Sequence, residues 1–495
     1  MEQNRASMNS TGSVKTNAVL NMTRTLMGLA FPLVTFPYAS RILLPEGIGS
    51  VNFALSVTSY FAIVASLGIE NYGIREAAKV RDDRQRLSQL AREILAVNII
   101  STAAAYALLA AALLGIPRLA EYRELLCVCS ASILFTTVGV GWLYSAIEDY
   151  LYITVRSVAF QVLSAALLFA FVRTKDDCVQ YAAIAVVSSA GSNILNLIHS
   201  RKFVDLWGQG RLNMRKHIKP IMVLFAMAVT VKLYTALDTT MLGFMKGDRE
   251  VGIYTAATKI NRMILSLVTA ASAVLLPRLS FYSRQEDKSA FLRLSYKGFD
   301  AVLLIALPCA VGLCVLSTPV VHILSGGEYD AAIIPMRIMN PVILIIGLSG
   351  YIGIQLFMPL GRERWTLWSV MAGAAVNLTL NLFLIPRYGA AGASVATVAA
   401  ESCVTAVQLC LARRYLALRS VLVSFLKYLA CSCVMSAAVF LCMYLAGTEW
   451  FALAVGVPVG IAVYFALLVA GKDAFAVGFL SAVSARIRER KKVVS

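Results

Sequence analysis

A chain of 495 residues that is 59% hydrophobic and only 15% charged stands apart from soluble domains, which run about 45–50% apolar and about 25% charged. Three histidines, and ten cysteines that lie mostly in apolar segments (Cys129, Cys314, Cys403, Cys433) with no CxxC or Cys/His spacing, argue against zinc and disulfide chemistry. A formal net charge of +18 admits nucleic acid or an anionic membrane surface as partner, and the placement of that charge decides between them.

The first 16 residues, MEQNRASMNSTGSVKT, are polar, and the apolar run behind them is too long for a signal-peptide core, so it reads as a retained membrane helix. Runs of about 20 apolar residues, enough to cross a bilayer core of about 30 Å, are expected over 17–43, 46–69, 90–115, 122–147, 150–172, 179–199, 218–245, 251–276, 297–324, 331–358, 363–385, 389–415, 424–446 and 449–471. The fold class is therefore an all-α polytopic membrane protein of about fourteen transmembrane helices. After span 2, NYGIREAAKVRDDRQRLSQLAREI reads as an amphipathic surface helix, and PRLSFYSRQEDKSAFLRLSYKG repeats that character after span 8. EGIGSVNFA (46–54) echoes REVGIYTAA (249–257), with Gly49 opposite Gly252. The echo predicts two six-helix lobes, 17–199 and 218–415, joined by a basic connection at 200–217. Two additional helices (416–471) and a basic tail (472–495) follow, and residues 1–16 form the N-terminal tail.

Alternating topology places 31 Lys and Arg on the side that holds both termini, against 8 on the other: Arg41, Arg118, Arg123, Arg173, Lys175, Lys246, Arg249 and Arg387. Positive residues favour the cytoplasm, so both termini are expected there. The basicity is then a topology signal and a contact with anionic membrane lipids, not a nucleic-acid footprint.

Six cations remain inside spans: Arg24, Arg156, Lys232, Lys259, Arg262 and Arg337, beside the embedded acids Asp238 and Glu401. A charge at the bilayer centre costs at least about 2.5–3.5 kcal/mol, so such residues face a cavity or a partner. Arg156 and Arg337, close to their span starts, read as side chains snorkelling to the interface, and Arg24 stands between the two readings. Lys232 and Arg262 lie more than about ten residues from either span end, about 15 Å deep. Asp238 and Lys259 are expected at similar depth, and Lys259 and Arg262 share a helical face with Thr255 and Tyr254 near it. Such a cluster either lines a polar cavity or forms a structural ion-pair network. A cationic cavity points to a phosphate or diphosphate, because Arg binds phosphate by forked hydrogen bonds and Lys as a point charge. Asp238 and Glu401 are candidates for a coupling proton or Na⁺. Pro32 and Pro37 are expected to interrupt span 1, and Pro308, Pro335, Pro341 and Pro458 others, as hinges or static kinks. No GxxxxGK[ST], nucleophile elbow or HExxH is present, so no enzymatic activity and no cofactor are expected. RYGAAGASVATVAAE (387–401) reads as close helix packing.

FPYASRILLPEGIGSVNFA, LGIENYGIREAAK, LDTTMLGFMKGDREVGIYTAATKI and NLTLNLFLIPRYGAAGASVATVAAE together resemble the Wzx-type polysaccharide flippases of O-antigen and capsule export. These belong to the multidrug/oligosaccharidyl-lipid/polysaccharide exporter superfamily. The resemblance covers about residues 20–400. It implies a multi-pass protein of the bacterial inner membrane that moves an undecaprenyl-diphosphate-linked oligosaccharide outward by alternating access, driven by Na⁺ or H⁺. It further implies that Arg24, Lys232, Lys259 and Arg262 bind the diphosphate and glycan, and that a polysaccharide polymerase machinery is a partner. A lipid II flippase is the near alternative. A cation antiporter of the same fold would need a dominantly acidic cavity, and a membrane-embedded glycosyltransferase or ligase would need larger outer loops.

Overall fold

The computed structural model describes residues 14–208, 212–273, 275–285, 288–413, 415, 418–445 and 447–473, so most of both expected tails and part of the 200–217 connection lie outside the described residues. Among the described residues the regular structure is all helical. In chain order the helices are α1 (Val14–Ser66), α2 (Ile69–Val80), α3 (Arg84–Gly115), α4 (Pro117–Ala120), α5 (Arg123–Val138), α6 (Gly141–Ala146), α7 (Tyr150–Phe171), α8 (Cys178–Val186) and α9 (Asn193–Ser200). They continue as α10 (Arg215–Met245), α11 (Asp248–Ala273), α12 (Leu276–Arg284), α13 (Lys288–Ser325), α14 (Ile333–Met339), α15 (Val342–Gly350), α16 (Glu363–Ala412), α17 (Leu418–Leu445) and α18 (Glu449–Ala470). Short π-helical turns, Val187–Gly191 and Tyr351–Phe357, interrupt the regular winding.

The fourteen expected spans map onto these helices, with two helices each carrying a pair. α1 is 53 residues long, more than twice what a bilayer core needs. Its backbone leaves the helical region at Leu44 (φ 59°, ψ 177°), directly ahead of Pro45, whose ring disfavours helical geometry in the preceding residue. LLPEG thus separates spans 1 and 2. Pro32 and Pro37 do not interrupt the helix as expected: both lie within continuous helix, and the break is at Leu44. Interior proline removes one backbone bond, which membrane helices tolerate. α1 contacts α3, α5, α7 and α10, and Tyr38 Oη donates to Val172 O at 2.9 Å. In α16 the break is Gly389 at φ 53°, ψ −129°, a conformation side chains resist. Beyond it the two halves fold onto each other: a Cβ on Gly373 would lie 2.3 Å from Val404. The small-residue run therefore does serve close packing. Pro341 sits at the junction between α14 and α15, where the span bends by 44°.

The chain forms two compact units, residues 1–255 and 256–495. In the first, buried polar bonds stitch neighbouring helices together. Ala65 O, at the end of α1, accepts from Asn98 Nδ2 at 2.9 Å and Ser101 Oγ at 2.5 Å, and Thr102 and Thr137 share a 2.7 Å bond. The amphipathic α2 presses Gly73 against Trp142 so closely that a Cβ would approach the indole to 2.6 Å. In the second unit, α17 and α18 pack on α13. Tyr464 Oη donates to Leu304 O at 3.1 Å, and Lys427 pairs with the buried carboxylate of Asp473. All ten cysteines are free thiols.

Candidate functional site

Asp238, about two turns from the end of the apolar α10, is 8% exposed. Tyr254, one helix later on α11, donates its hydroxyl to Asp238 Oδ2 at 2.7 Å. Two residues beyond Asp238, Thr240 Oγ1 bonds Ser56 Oγ at 3.0 Å and donates to Tyr60 Oη at 3.1 Å. A polar stripe thus runs between α1, α10 and α11 through residues that hydropathy alone would bury in hydrocarbon. Lys232, six residues before Asp238, is half-buried and lies where α10 bends by 52° between Thr230 and Tyr234.

The same three helices close at their far ends in a reciprocal glycine contact. A Cβ on Gly49 would lie 1.8 Å from Asp248 O, and one on Gly252 would lie 1.9 Å from Pro45 O. The two glycines that echo each other in sequence therefore pack each against the other's turn. Arg249 Nη1 pairs with Glu46 Oε1 at 3.1 Å, Tyr122 Oη donates to Asp248 Oδ1 at 2.6 Å, and Phe53 meets Gly243, Phe244 and Tyr122. Asp248 precedes the span that starts at 251. Burial holds its carboxyl above the usual carboxylate range, and the Tyr122 hydroxyl and Arg118 only partly oppose this. A carboxyl with a raised native pKa penalises the folded state once it ionises, so the penalty is absent below about pH 4 and grows as pH rises. Asp248→Asn, which keeps an acceptor for Tyr122, is expected to raise the melting temperature at pH 7, with the gain vanishing toward pH ~4. A scan of melting temperature against pH for both proteins checks this.

Arg156 departs from the snorkelling expectation. Its Nη1 donates to Ser192 O at 3.2 Å and to Asn193 Oδ1 at 3.4 Å, and the guanidinium lies 5.7 Å from the Tyr152 ring centroid. Ser192 directly follows the π-helical turn Val187–Gly191, where irregular winding frees carbonyls. Distance from the span end favoured the interface; a free carbonyl and an aromatic face within the unit held the side chain inward. Thr154 Oγ1 donates to Leu20 O at 3.2 Å, which draws the start of α1 against α7. Arg24, one turn further along α1, is exposed and close enough for its charge to act on Arg156. Arg337 is exposed, as snorkelling requires, and donates to Thr318 Oγ1 at 3.2 Å.

In the second unit, Lys259 is half-buried and Arg262 exposed, one turn apart on α11 and within electrostatic reach of each other. Glu401 is 7% exposed on the second half of α16. The first half of that helix buries Asn377 and Asn381, joined at 3.1 Å. Arg24, Lys232 and Asp238 thus belong to one unit, and Lys259, Arg262 and Glu401 to the other.

One network escaped the reading of the sequence. Glu93 on α3 has a side chain with no solvent exposure. Its Oε2 accepts from Lys216 Nζ at 2.7 Å and faces His217 Nε2 at 2.8 Å. Its Oε1 accepts from Asn213 N at 3.1 Å and Gln89 Nε2 at 3.3 Å. Four partners fill the roughly four acceptor sites of a carboxylate. His217 Nδ1 in turn lies 2.6 Å from Tyr72 Oη on α2. Along the same helix Arg84 donates to Arg201 O at 3.3 Å, Ser88 Oγ accepts from Asp205 N at 3.0 Å, and Arg92 donates to Gly208 O. Among the described residues, α3 therefore holds the basic connection at Arg201, Asp205, Gly208 and Asn213. Glu93→Ala is expected to destabilise the protein by about 2–3 kcal/mol, since it strips buried donors of their acceptor. Thermal unfolding and trypsin sensitivity of the connection check this.

The model of the family described as "Polysaccharide biosynthesis protein" matches residues 14–283. The "Putative O-antigen transporter" of Escherichia coli (strain K12) is 23% identical over 387 residues, which is 77% of this chain and 92% of that protein. Among solved structures, the lipid II flippase MurJ in an inward closed conformation superposes with a TM-score of 0.73 at 15% identity, covering 93% of this chain and 99% of that one. An inward-facing multidrug resistance MATE family transporter gives 0.59 at 16% identity, covering 80% and 96%. With more than half of its length in the family model, its helices in the fold of those transporters and its four motif phrases in place, the chain belongs to the polysaccharide biosynthesis protein family, the polysaccharide flippases of the multidrug/oligosaccharidyl-lipid/polysaccharide exporter superfamily.

Proposed function

We propose that this multi-pass membrane protein moves an undecaprenyl-diphosphate-linked oligosaccharide from the cytoplasmic to the outer leaflet of the bacterial inner membrane by alternating access, with both termini in the cytoplasm. The family, and the O-antigen transporter named among its relatives, support a flippase of polysaccharide type. What carries the finer reading is the set of cations that the sequence keeps inside apolar spans, Lys232, Lys259 and Arg262, with Arg24 nearer a span end. Deep cations are costly to insert, and a diphosphate is the part of such a lipid that needs them. In this reading Asp238 and Glu401 carry the coupling Na⁺ or H⁺, Pro32 and Pro37 supply give in α1, and a polysaccharide polymerase takes the product. A lipid II flippase is the second reading, supported by the fold likeness to MurJ; it shares the diphosphate and differs in the glycan.

The test is reconstitution into liposomes with labelled lipid-diphosphate oligosaccharides, following headgroup accessibility while Na⁺ and pH gradients are imposed separately. Protein-dependent transfer that responds to one gradient is expected. Transfer no faster than in protein-free vesicles, for every glycan tried, contradicts the reading. Preference for a pentapeptide-bearing glycan over O-antigen units selects the second one.

A further inference from the structure

Beside the Glu93 network lies a cavity of about 400 Å³ between α2, the first turns of α3 and the start of α10. Its rim carries Lys79, Arg86 and Lys216, whose side chains are 61%, 76% and 50% exposed. Val80 and Leu90 give it an apolar wall, and the buried Tyr72 and His217 also line it. Each rim cation already has one carboxylate partner: Lys79 bonds Glu76, Arg86 bonds Asp83 through Nε at 3.1 Å, and Lys216 bonds Glu93. None is exhausted by it. Arg86 commits one of about five guanidinium donors, and Lys216 one of about three. The lining holds two carboxylates, Glu76 and Glu93, against three cations, and Glu93 is fully engaged below the surface.

We propose that this cavity binds a phosphate-bearing anion, and that the anion is the headgroup of an acidic lipid in the leaflet on which α2 lies. The fork of Arg86 and the two ammonium groups match the oxygens of a phosphodiester. The apolar wall suits the glycerol and first methylenes that come with it, and an amphipathic helix lies at headgroup depth. A volume of this size accepts a glycerophosphate but not a lipid-linked glycan. Because Lys216 and His217 open α10, an occupied cavity brings a lipid against the first turn of the helix that carries Lys232 and Asp238. The proposal does not depend on the transported substrate, and its test does not measure transport.

The full chain, delipidated in detergent, is offered phosphatidylglycerol, phosphatidylcholine or glycerol 1-phosphate at equal concentration, and retention is read by native mass spectrometry alongside thermal stability. Phosphatidylglycerol is expected to be retained at least about fivefold better than phosphatidylcholine, because basic side chains near the surface attract anionic headgroups. Lys79→Gln with Arg86→Gln is expected to erase that preference. Both residues make exposed ion pairs that add little to stability, so the variant should fold. Arg293→Gln with Lys297→Gln, exposed cations of α13, is expected to leave the preference intact. Unchanged preference in the Lys79/Arg86 variant overturns the site. Stabilisation by glycerol 1-phosphate equal to that by the lipid overturns the lipid as its source.

Discussion

Arg262→Ala is expected to slow translocation of the lipid-linked oligosaccharide by on the order of 10–100-fold, with insertion and abundance near those of the wild type. A hydrogen bond to a charged group contributes about 1.5–3 kcal/mol, and each 1.4 kcal/mol is tenfold. The side chain is exposed on α11, so its removal leaves no cavity in a packed core. Lys259, one turn away and half-buried, is the control within the same helix: Lys259→Ala should impair transport and also lower the melting temperature. Initial translocation rates at saturating lipid, set against membrane abundance, separate the two roles. If Arg262→Ala removes the folded protein instead, the side chain belongs to a structural ion-pair network and not to a substrate path.

The second large effect is expected where no charge is involved. Gly252→Ala places a Cβ where Pro45 O stands, at 1.9 Å, and Gly49→Ala does the same against Asp248 O at 1.8 Å. Backbone cannot yield as a flexible side chain does, so each substitution should force the seam apart, at about 1–3 kcal/mol or more. Both single variants should lose at least about tenfold in transport, and residues 44–50 and 246–252 should exchange amide hydrogens faster. The two share one contact, so the double variant should be little worse than either single one, a large departure from additivity. Gly28→Ala, where a Cβ meets nothing within 4 Å, should behave as wild type. Additive effects would mean that the two glycines act at separate places.

Why some of this was legible in the sequence and some was not comes down to the range of the forces involved. Apolar runs long enough to cross a bilayer are local, and so are the signals that end them. LLPEG breaks α1 because proline restricts the residue before it, and RYGAAG breaks α16 because glycine alone takes that backbone geometry readily. The Gly49–Gly252 echo was visible as a repeat, but only the fold shows the two turns packed reciprocally. The embedded charges could be counted; their partners could not. Tyr254 reaches Asp238 across a helix turn-around, and Arg156 is held by a carbonyl freed at a π-helical turn 36 residues away. Glu93 gave no signal because it stands in LAREIL, among surface charges at the start of a span, while three of its four partners are 120–124 residues distant. Pro32 and Pro37 lie within continuous helix, and the backbone break falls at Leu44, where proline restricts the residue before it.

Equilibrium binding of three polyprenyl lipids to the purified protein, one ending in a diphosphate-linked oligosaccharide, one in a monophosphate and one in a free alcohol, probes the role of the embedded cations most directly. The diphosphate form should bind at least about tenfold more tightly than the alcohol, the worth of one good charge-assisted contact. In Lys259→Gln with Arg262→Gln that advantage should fall away while alcohol binding stays the same. Equal discrimination by the wild type and the double variant would show that these cations are not where the phosphates are held.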